Sequence, residues 1–175
     1  MEAKAVPKFV VVGENPTSVT HAARTAVAAV TALLITHLMR LPEAYWAPIS
    51  TIVVMQSTLQ AAVSISLQRF AGTALGAASG ALVAIYFPGN TLAFGLAVFA
   101  VGAICAALQV DRTAYRYAGI TLAIVILIPH QEKHSMVAIH RFVEVSLGIA
   151  VGLAFSLPWP DRQAPTTNAS HRNQR

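Results

Sequence analysis

The chain has 175 residues, 55% of them hydrophobic and only 11% charged, with a net charge of +5. Soluble domains carry roughly 25% charged residues, so the polar surface that would keep this chain in solution is missing, and a membrane protein is the primary reading. The single cysteine, Cys105, leaves neither a disulfide framework nor a cysteine metal site, and the positive charge is scattered rather than gathered into a nucleic-acid patch.

Residues 1–20 contain Glu2, Lys4, Lys8, Glu14 and two prolines, and their one apolar run, FVVV, is too short for a signal-peptide core or a span. They are expected to form a cytoplasmic N-terminal segment. Six apolar segments follow at approximately 22–38, 44–63, 70–87, 91–109, 117–130 and 142–158. A span takes about 20 helical residues, and the first, third, fourth and sixth segments fit that length. The expected architecture is an all-α membrane protein, with a six-span module over residues 21–160 and a polar, disordered cytoplasmic tail over 161–175.

With six spans, both termini share one side. That side holds Lys4, Lys8, Arg24, Arg69, Arg112, Arg116, Arg162, Arg172 and Arg175, against Arg40, Lys133 and Arg141 opposite. The bias places both termini in the cytoplasm.

Two stretches align without a gap at an offset of 72. Arg69, Phe70, Leu75, Gly76, Ala78, Gly80 and Pro88 correspond to Arg141, Phe142, Leu147, Gly148, Ala150, Gly152 and Pro160, and upstream Tyr45, Ile52 and Val53 correspond to Tyr117, Ile124 and Val125. This reads as two copies of a three-span unit. Because three is odd, the copies are inverted, an arrangement common in transporters. Two unrelated small-residue helices, each opening on an anchoring arginine, are the bland alternative. Gly72, Gly76 and Gly80, spaced by four, share a helix face that admits another backbone, and Gly148 and Gly152 repeat the device.

The segments before each arginine are interrupted. In YWAPISTIVVMQSTLQAAVSISLQ the purely apolar core ends at Met55 and Gln56, Ser57, Thr58 and Gln60 follow; in the second copy YAGITLAIVILIP ends at Pro129, before HQEKHS. Short or broken spans at matching places in two repeats point to a transport site. Polar backbone is therefore expected inside the membrane at Gln56–Gln60 and Pro129–Gln131, with helices 3 and 6 starting there and Arg69 and Arg141 facing a wet cavity at their N-termini. Each guanidinium, beside a helix N-terminus, suits a carboxylate. If the helices instead begin at the interface, both arginines are headgroup anchors.

YWAPISTIVVMQSTLQAAVSISLQRFAGTALGAASGAL resembles the membrane signature of the fusaric acid resistance and aromatic acid exporter family. Its recurring residues are here Tyr45, Trp46, Ala47, Gln56, Arg69, Gly72, Thr73 and Gly76, and Arg141, Glu144, Gly148 and Trp159–Pro160 resemble the end of the same module. The likeness covers approximately residues 18–160. It implies a six-span module of an inner-membrane efflux system or anion permease associated with aromatic carboxylic acids. It also adds Thr73 to the substrate-binding candidates Arg69, Arg141, Gln56 and Gln60. The sequence departs from the family in having Ser57 where proline is common, and in lacking the second membrane half of larger members, which implies a homodimer or larger homo-oligomer.

Glu144, one turn after Arg141, is its simplest intrahelical partner and also the candidate for coupling to protons. His21 and Arg24 read as interfacial anchors, as do Tyr45, Trp46 and Trp159 at span ends. His130, His134 and His140, with Glu132, do not share a helix face, so no metal site is expected, nor any cofactor or catalytic centre. Two function classes remain. One is a permease or efflux component for organic anions, with small organic anions and the lipid bilayer as partners. The other is a non-transporting membrane subunit that assembles with a partner through its glycine faces.

Overall fold

The computed structural model describes residues 18–56, 58–128 and 134–157. The expectations for the N-terminal segment, Ser57, Pro129–Gln131, Glu132, Trp159–Pro160 and the tail lie outside the described residues. Among the described residues there are six helices and no strand: α1 (Val19–Leu38), α2 (Trp46–Val54), α3 (Leu59–Tyr86), α4 (Thr91–Ala107), α5 (Arg112–Leu127) and α6 (His134–Ser156). Three begin on polar caps that satisfy otherwise orphaned N–H groups. The Ser18 hydroxyl accepts from the His21 N–H, the Thr58 hydroxyl from Ala61, and the Asn90 carbonyl from Leu92 and Ala93.

The cap at Thr58 corrects one expectation. Helix 3 does not begin at Arg69; it begins at Leu59 and carries Arg69 ten residues inside, and Arg141 likewise lies seven residues inside α6. No glycine or proline falls between Thr58 and Arg69, and Gln60 and Ser64 point outward, so beyond Thr58 the helix is continuous, while Met55, Gln56 and Thr58 stand in the break expected after Met55. Neither arginine therefore sits beside a helix N-terminus.

Helix lengths are uneven. At 1.5 Å per residue α3 is about 42 Å long, α5 about 24 Å and α2 only about 14 Å. By length and composition two helices can cross a membrane, α1 and Ser135–Ser156 of α6, and α4 is a shorter apolar helix. The short helices return early. Arg24 on α1 donates to the Gln56 carbonyl at 3.2 Å, fixing the break between α2 and α3. At the other end of α2 the Thr36 hydroxyl donates to the Ala44 carbonyl at 3.2 Å. The α4–α5 turn meets α3 through the bond from Gln68 to Asp111, 2.8 Å. Gln68 is nine residues along α3, about 14 Å from that helix's start.

The main packing partners are not sequence neighbours. α3 lies along α5, α2 along α6, and α3 also packs on α6, while α1 and α4 flank the group. Glycines set these distances. A methyl on Gly76 would overlap the Ala118 carbonyl oxygen, and one on Gly72 would overlap that of Ala114, so α3 meets α5 backbone to backbone. On the other side a methyl on Gly148 would overlap the Ala47 carbonyl oxygen, and one on Gly152 would stand 3.0 Å from Val54 Cγ1. A methyl on Gly80 would likewise stand 3.1 Å from Val125 Cβ. The Thr51 hydroxyl crosses the second contact to the Gly148 carbonyl at 2.9 Å. All five glycine sites are thus filled within the chain.

Gly76→Leu and Gly148→Leu are each expected to destabilise the protein at or beyond the upper end of the usual overpacking cost of about 1–3 kcal/mol. Gly95→Ala, where added carbon meets open space, is expected to be neutral or slightly stabilising. Thermal melts followed by size-exclusion chromatography in detergent distinguish the three; equal melting temperatures would contradict the close-packing account.

Candidate functional site

On α3 the buried positions Ala62, Ser66, Arg69, Thr73, Gly76 and Gly80 recur at three- and four-residue steps. Arg69 therefore lies on the same stripe as the glycines. Arg141, Val145 and Gly148 are buried at the same steps on α6, with Gly152 one further turn along. Helical periodicity, combined with packing against the glycines, turns two permanent cations inward. Arg141 is 1% exposed and Arg69 8%.

Each guanidinium lies over an aromatic ring from a short helix. Arg141 Cζ stands 3.4 Å from the centroid of the Trp46 ring, and Arg69 Cζ 4.9 Å from that of Tyr117. Such stacking is worth about 2 kcal/mol when water is excluded, and it leaves the in-plane N–H groups available to a ligand. Arg69 Nη2 donates to the Ser50 hydroxyl at 3.1 Å, and that hydroxyl donates onward to the Trp46 carbonyl at 2.9 Å. Arg141 is less well satisfied. Its Nη2 lies 3.6 Å from Glu43 Oε2, an ion pair too long for a hydrogen bond. Its Nε, Nη1 and Nη2 have no hydrogen-bond partner, and neither does Arg69 Nε.

Glu144 is fully buried, 0% exposed. Its Oε1 accepts the Glu43 backbone N–H at 3.0 Å, while Oε2 has no hydrogen-bond partner. Glu144 thereby pins the turn between α1 and α2, and the same turn delivers the Glu43 carboxylate to Arg141.

Beside the two arginines lies a partly open cavity of about 20 Å³, lined chiefly by Trp46, Arg69, Thr73, Tyr117, Thr121 and Arg141. That is room for one water or an atom of similar size. Buried donors without acceptors beside this space form a ready anion site, because a planar guanidinium fork matches a carboxylate bidentately.

The structure brings together three of the five substrate-binding candidates: Arg69, Thr73 and Arg141. Gln56 and Gln60 are elsewhere. The Gln56 side chain donates to the Val53 carbonyl at 2.9 Å, closing the end of α2, and Gln60 faces outward. Trp46 corrects another expectation. It is not a headgroup anchor but the surface beneath Arg141. Ser50, Tyr117, Thr121 and Glu43 also belong to the site and escaped the sequence reading, although Tyr117 stood in the aligned repeat. Among the described residues no three metal-capable side chains cluster.

The pattern of the fusaric acid resistance protein-like family matches residues 27–155, well over half of the chain. The chain belongs to this family. The matched span takes in α2, α3, α4 and α5 whole and all but the last residue of α6, so both arginines and the cavity fall inside it. Fusaric acid resistance-like proteins are transporters rather than enzymes, and membership gives this chain a membrane setting and a role in transport or efflux. No curated protein and no solved structure matches it.

Glu144→Leu removes the acceptor of the Glu43 N–H and a neighbouring counter-charge of Arg141, and is expected to cost about 3–5 kcal/mol, as breaking buried charge arrangements does. Adding Arg141→Met should restore much of that loss, because the cation left with Glu43 as its one remaining described counter-charge then disappears. Equal melting temperatures for the single and double variants would contradict the account of Glu144 as counter-charge.

Proposed function

We propose that the chain is a permease or efflux component for organic anions, aromatic carboxylates foremost, in which Arg69 and Arg141 form one central anion site. The observation that carries this reading is Arg141: 1% exposed, facing the cavity, and without a hydrogen-bond partner on any guanidinium nitrogen. A purely structural arginine at that depth would be satisfied by carbonyls or carboxylates.

Two inverted repeats, α1–α3 and α4–α6, are part of the proposal, and the contacts support them. Exchanging the units turns the α2–α6 contact into α5–α3, α1–α2 into α4–α5 and α1–α6 into α4–α3. The glycine contacts of Gly76 with Ala118 and Thr121 match those of Gly148 with Ala47 and Ser50, an offset of 71 on the short helices against 72 on the long ones. Phe70 and Phe142, paired by that offset of 72, pack on each other with ring centroids 5.0 Å apart, as residues beside a two-fold axis do. The turns after α1 and α4 also share a cap, with Arg40 and Gln109 both at φ 52 and Leu41 and Val110 donating back to Thr36 and Cys105. Each arginine then stacks on the other repeat's aromatic.

Benzoate does not fit a cavity of about 20 Å³. The cavity corresponds on this reading to an occluded state, and passage requires the α2–α6 and α3–α5 pairs to move apart. Orientation with both termini cytoplasmic, in the inner membrane, survives the removal of Arg69 and Arg141 from the interfacial count, since Arg24, Arg112 and Arg116 remain on the inner side against Arg40. The apolar outer faces of α1 and α4, with Val27, Val30, Leu34, Leu92, Leu96 and Phe99 exposed, meet lipid or a second copy in a homo-oligomer. A non-transporting subunit joined to its partner through the glycine faces is disfavoured, because those faces are filled internally.

Benzoate flux into proteoliposomes tests the reading. Arg69→Gln and Arg141→Gln, at matched incorporation, are each expected to lower flux at least about tenfold, the effect of roughly 1.4 kcal/mol. Flux indifferent to both would remove the site assignment. Glu144 is the proposed coupling group. Glu144→Gln, which keeps an acceptor for the Glu43 N–H, is expected to retain flux but lose its acceleration by an imposed pH gradient; unchanged acceleration would count against coupling there.

A further inference from the structure

We propose that the cavity beside the arginines is a halide site: one chloride, contacted by the Thr73 and Thr121 hydroxyls, is the counter-ion of Arg69 in this arrangement of the helices and leaves when an organic anion enters. This rests on the reading of Arg69 and Arg141 as one anion site, and deepens it by naming a second ligand of that site.

The need for a counter-ion arises at Arg69, which is 8% exposed and cannot lose its charge. Its contacts are the Ser50 hydroxyl at 3.1 Å and the Tyr117 ring at 4.9 Å, with no carboxylate among them. Arg141 has Glu43 at 3.6 Å and Glu144 one turn along its own helix, but neither carboxylate lines the cavity. Arg69 is also close enough to Arg141 for the two cations to repel. A buried cation without counter-charge is strongly destabilising, and a small anion in the adjoining space removes that penalty.

The cavity limits what this anion can be. Its volume of about 20 Å³ exceeds the roughly 10–15 Å³ that one water-sized occupant takes, so it admits a single atom and not a carboxylate group. Chloride is only slightly larger than water. A water molecule would fit as well, but it would bring no charge to Arg69.

Two hydroxyls are placed to meet the ion. Elsewhere on the packed helices such groups bond to their own backbone: Thr51, Ser146 and Ser156 each donate to the carbonyl four residues back, at 3.0, 2.7 and 2.8 Å. Thr73 and Thr121 are buried, 2% and 5% exposed, yet among the described residues neither hydroxyl makes such a bond. Nor is either oxygen sealed away, as that of Ser66 is. Both residues line the cavity, Thr73 from α3 and Thr121 from α5. Ser50, which meets Gly148 as Thr121 meets Gly76, shows the contrast: its hydroxyl donates to the Trp46 carbonyl and accepts from Arg69. The hydroxyls of Thr73 and Thr121 thus remain for an occupant, and a hydrogen bond donated to an ion is stronger than one donated to a neutral acceptor. An organic anion whose carboxylate reaches Arg69 takes over as counter-ion, so the two ligands exclude each other.

The test is calorimetric titration of chloride, and separately of benzoate, into the purified full chain in chloride-free detergent buffer at constant ionic strength. Chloride is expected to bind. Thr73→Val and Thr121→Val are each expected to weaken it about tenfold, as losing a hydrogen bond to an ion does, and Arg69→Gln to abolish it. With chloride at about nine times its dissociation constant, benzoate affinity is expected to fall about tenfold. No chloride binding, or chloride binding that both valine variants leave unchanged, overturns the proposal. Benzoate binding that Arg141→Gln abolishes but chloride does not weaken overturns this proposal alone. Chloride binding that the valine variants weaken, with no benzoate binding by any of the proteins, supports the halide site and removes the functional reading. Should Arg69→Gln elute as aggregate, the valine variants, which keep the shape of the side chain, carry the same test.

Discussion

A guanidinium cannot discharge itself by losing a proton, and two of them lie at the centre of this apolar bundle. Nearly every unusual feature of the fold answers that constraint. Trp46 and Tyr117 offer ring faces, Ser50 offers a hydroxyl, and Glu43 and Glu144 bring negative charge toward Arg141. Apart from Glu144, which lies on α6 beside Arg141, none of these groups reaches the arginines from a long, straight span. The short helix α2 and the start of α5 supply both rings, and the turn before α2 supplies a carboxylate. Helices that crossed the whole bilayer before turning would carry their ends past the level of the arginines.

Close packing makes this possible. Where Gly72, Gly76 and Gly148 let carbonyls of α5 and α2 approach, the short helices are clamped against the long ones with little side-chain volume between them. The arginines extend the same stripes beyond the glycines. The small cavity lies where the stripe changes from glycine to arginine, with Arg69 and Arg141 in its lining. Rigid contacts on either side then hold the rings and hydroxyls around it.

The site is uneven in charge. Arg69 has a hydroxyl and a ring, while Arg141 has two acidic neighbours yet no hydrogen bond. A cation neutralised but not satisfied is well suited to exchange: its resident counter-ion lowers the cost of the empty state without holding the donors. That condition joins the stability of the bundle to its proposed work. The groups that make burial tolerable are also those an arriving anion must meet.

Composition and apolar segmentation determined the membrane setting, the all-helical class and the family, because those depend on how much of the chain is apolar and on a local motif around Arg69 and Gly76. The glycine spacing also showed which faces admit a backbone, since a four-residue step fixes the face of any helix. The depth of Arg69 within α3 was misread because the Gln and Ser residues ahead of it resemble an extended interruption; whether such residues line water or one face of a helix depends on what packs opposite. The placement of Trp46 under Arg141, the turn that carries Glu43 inward, and the dismissal of Gln56 to the end of α2 were decided only by tertiary structure. Each depends on where two segments a hundred residues or so apart in sequence, or a short helix and its capping group, come to rest against one another, and no local pattern encodes that distance.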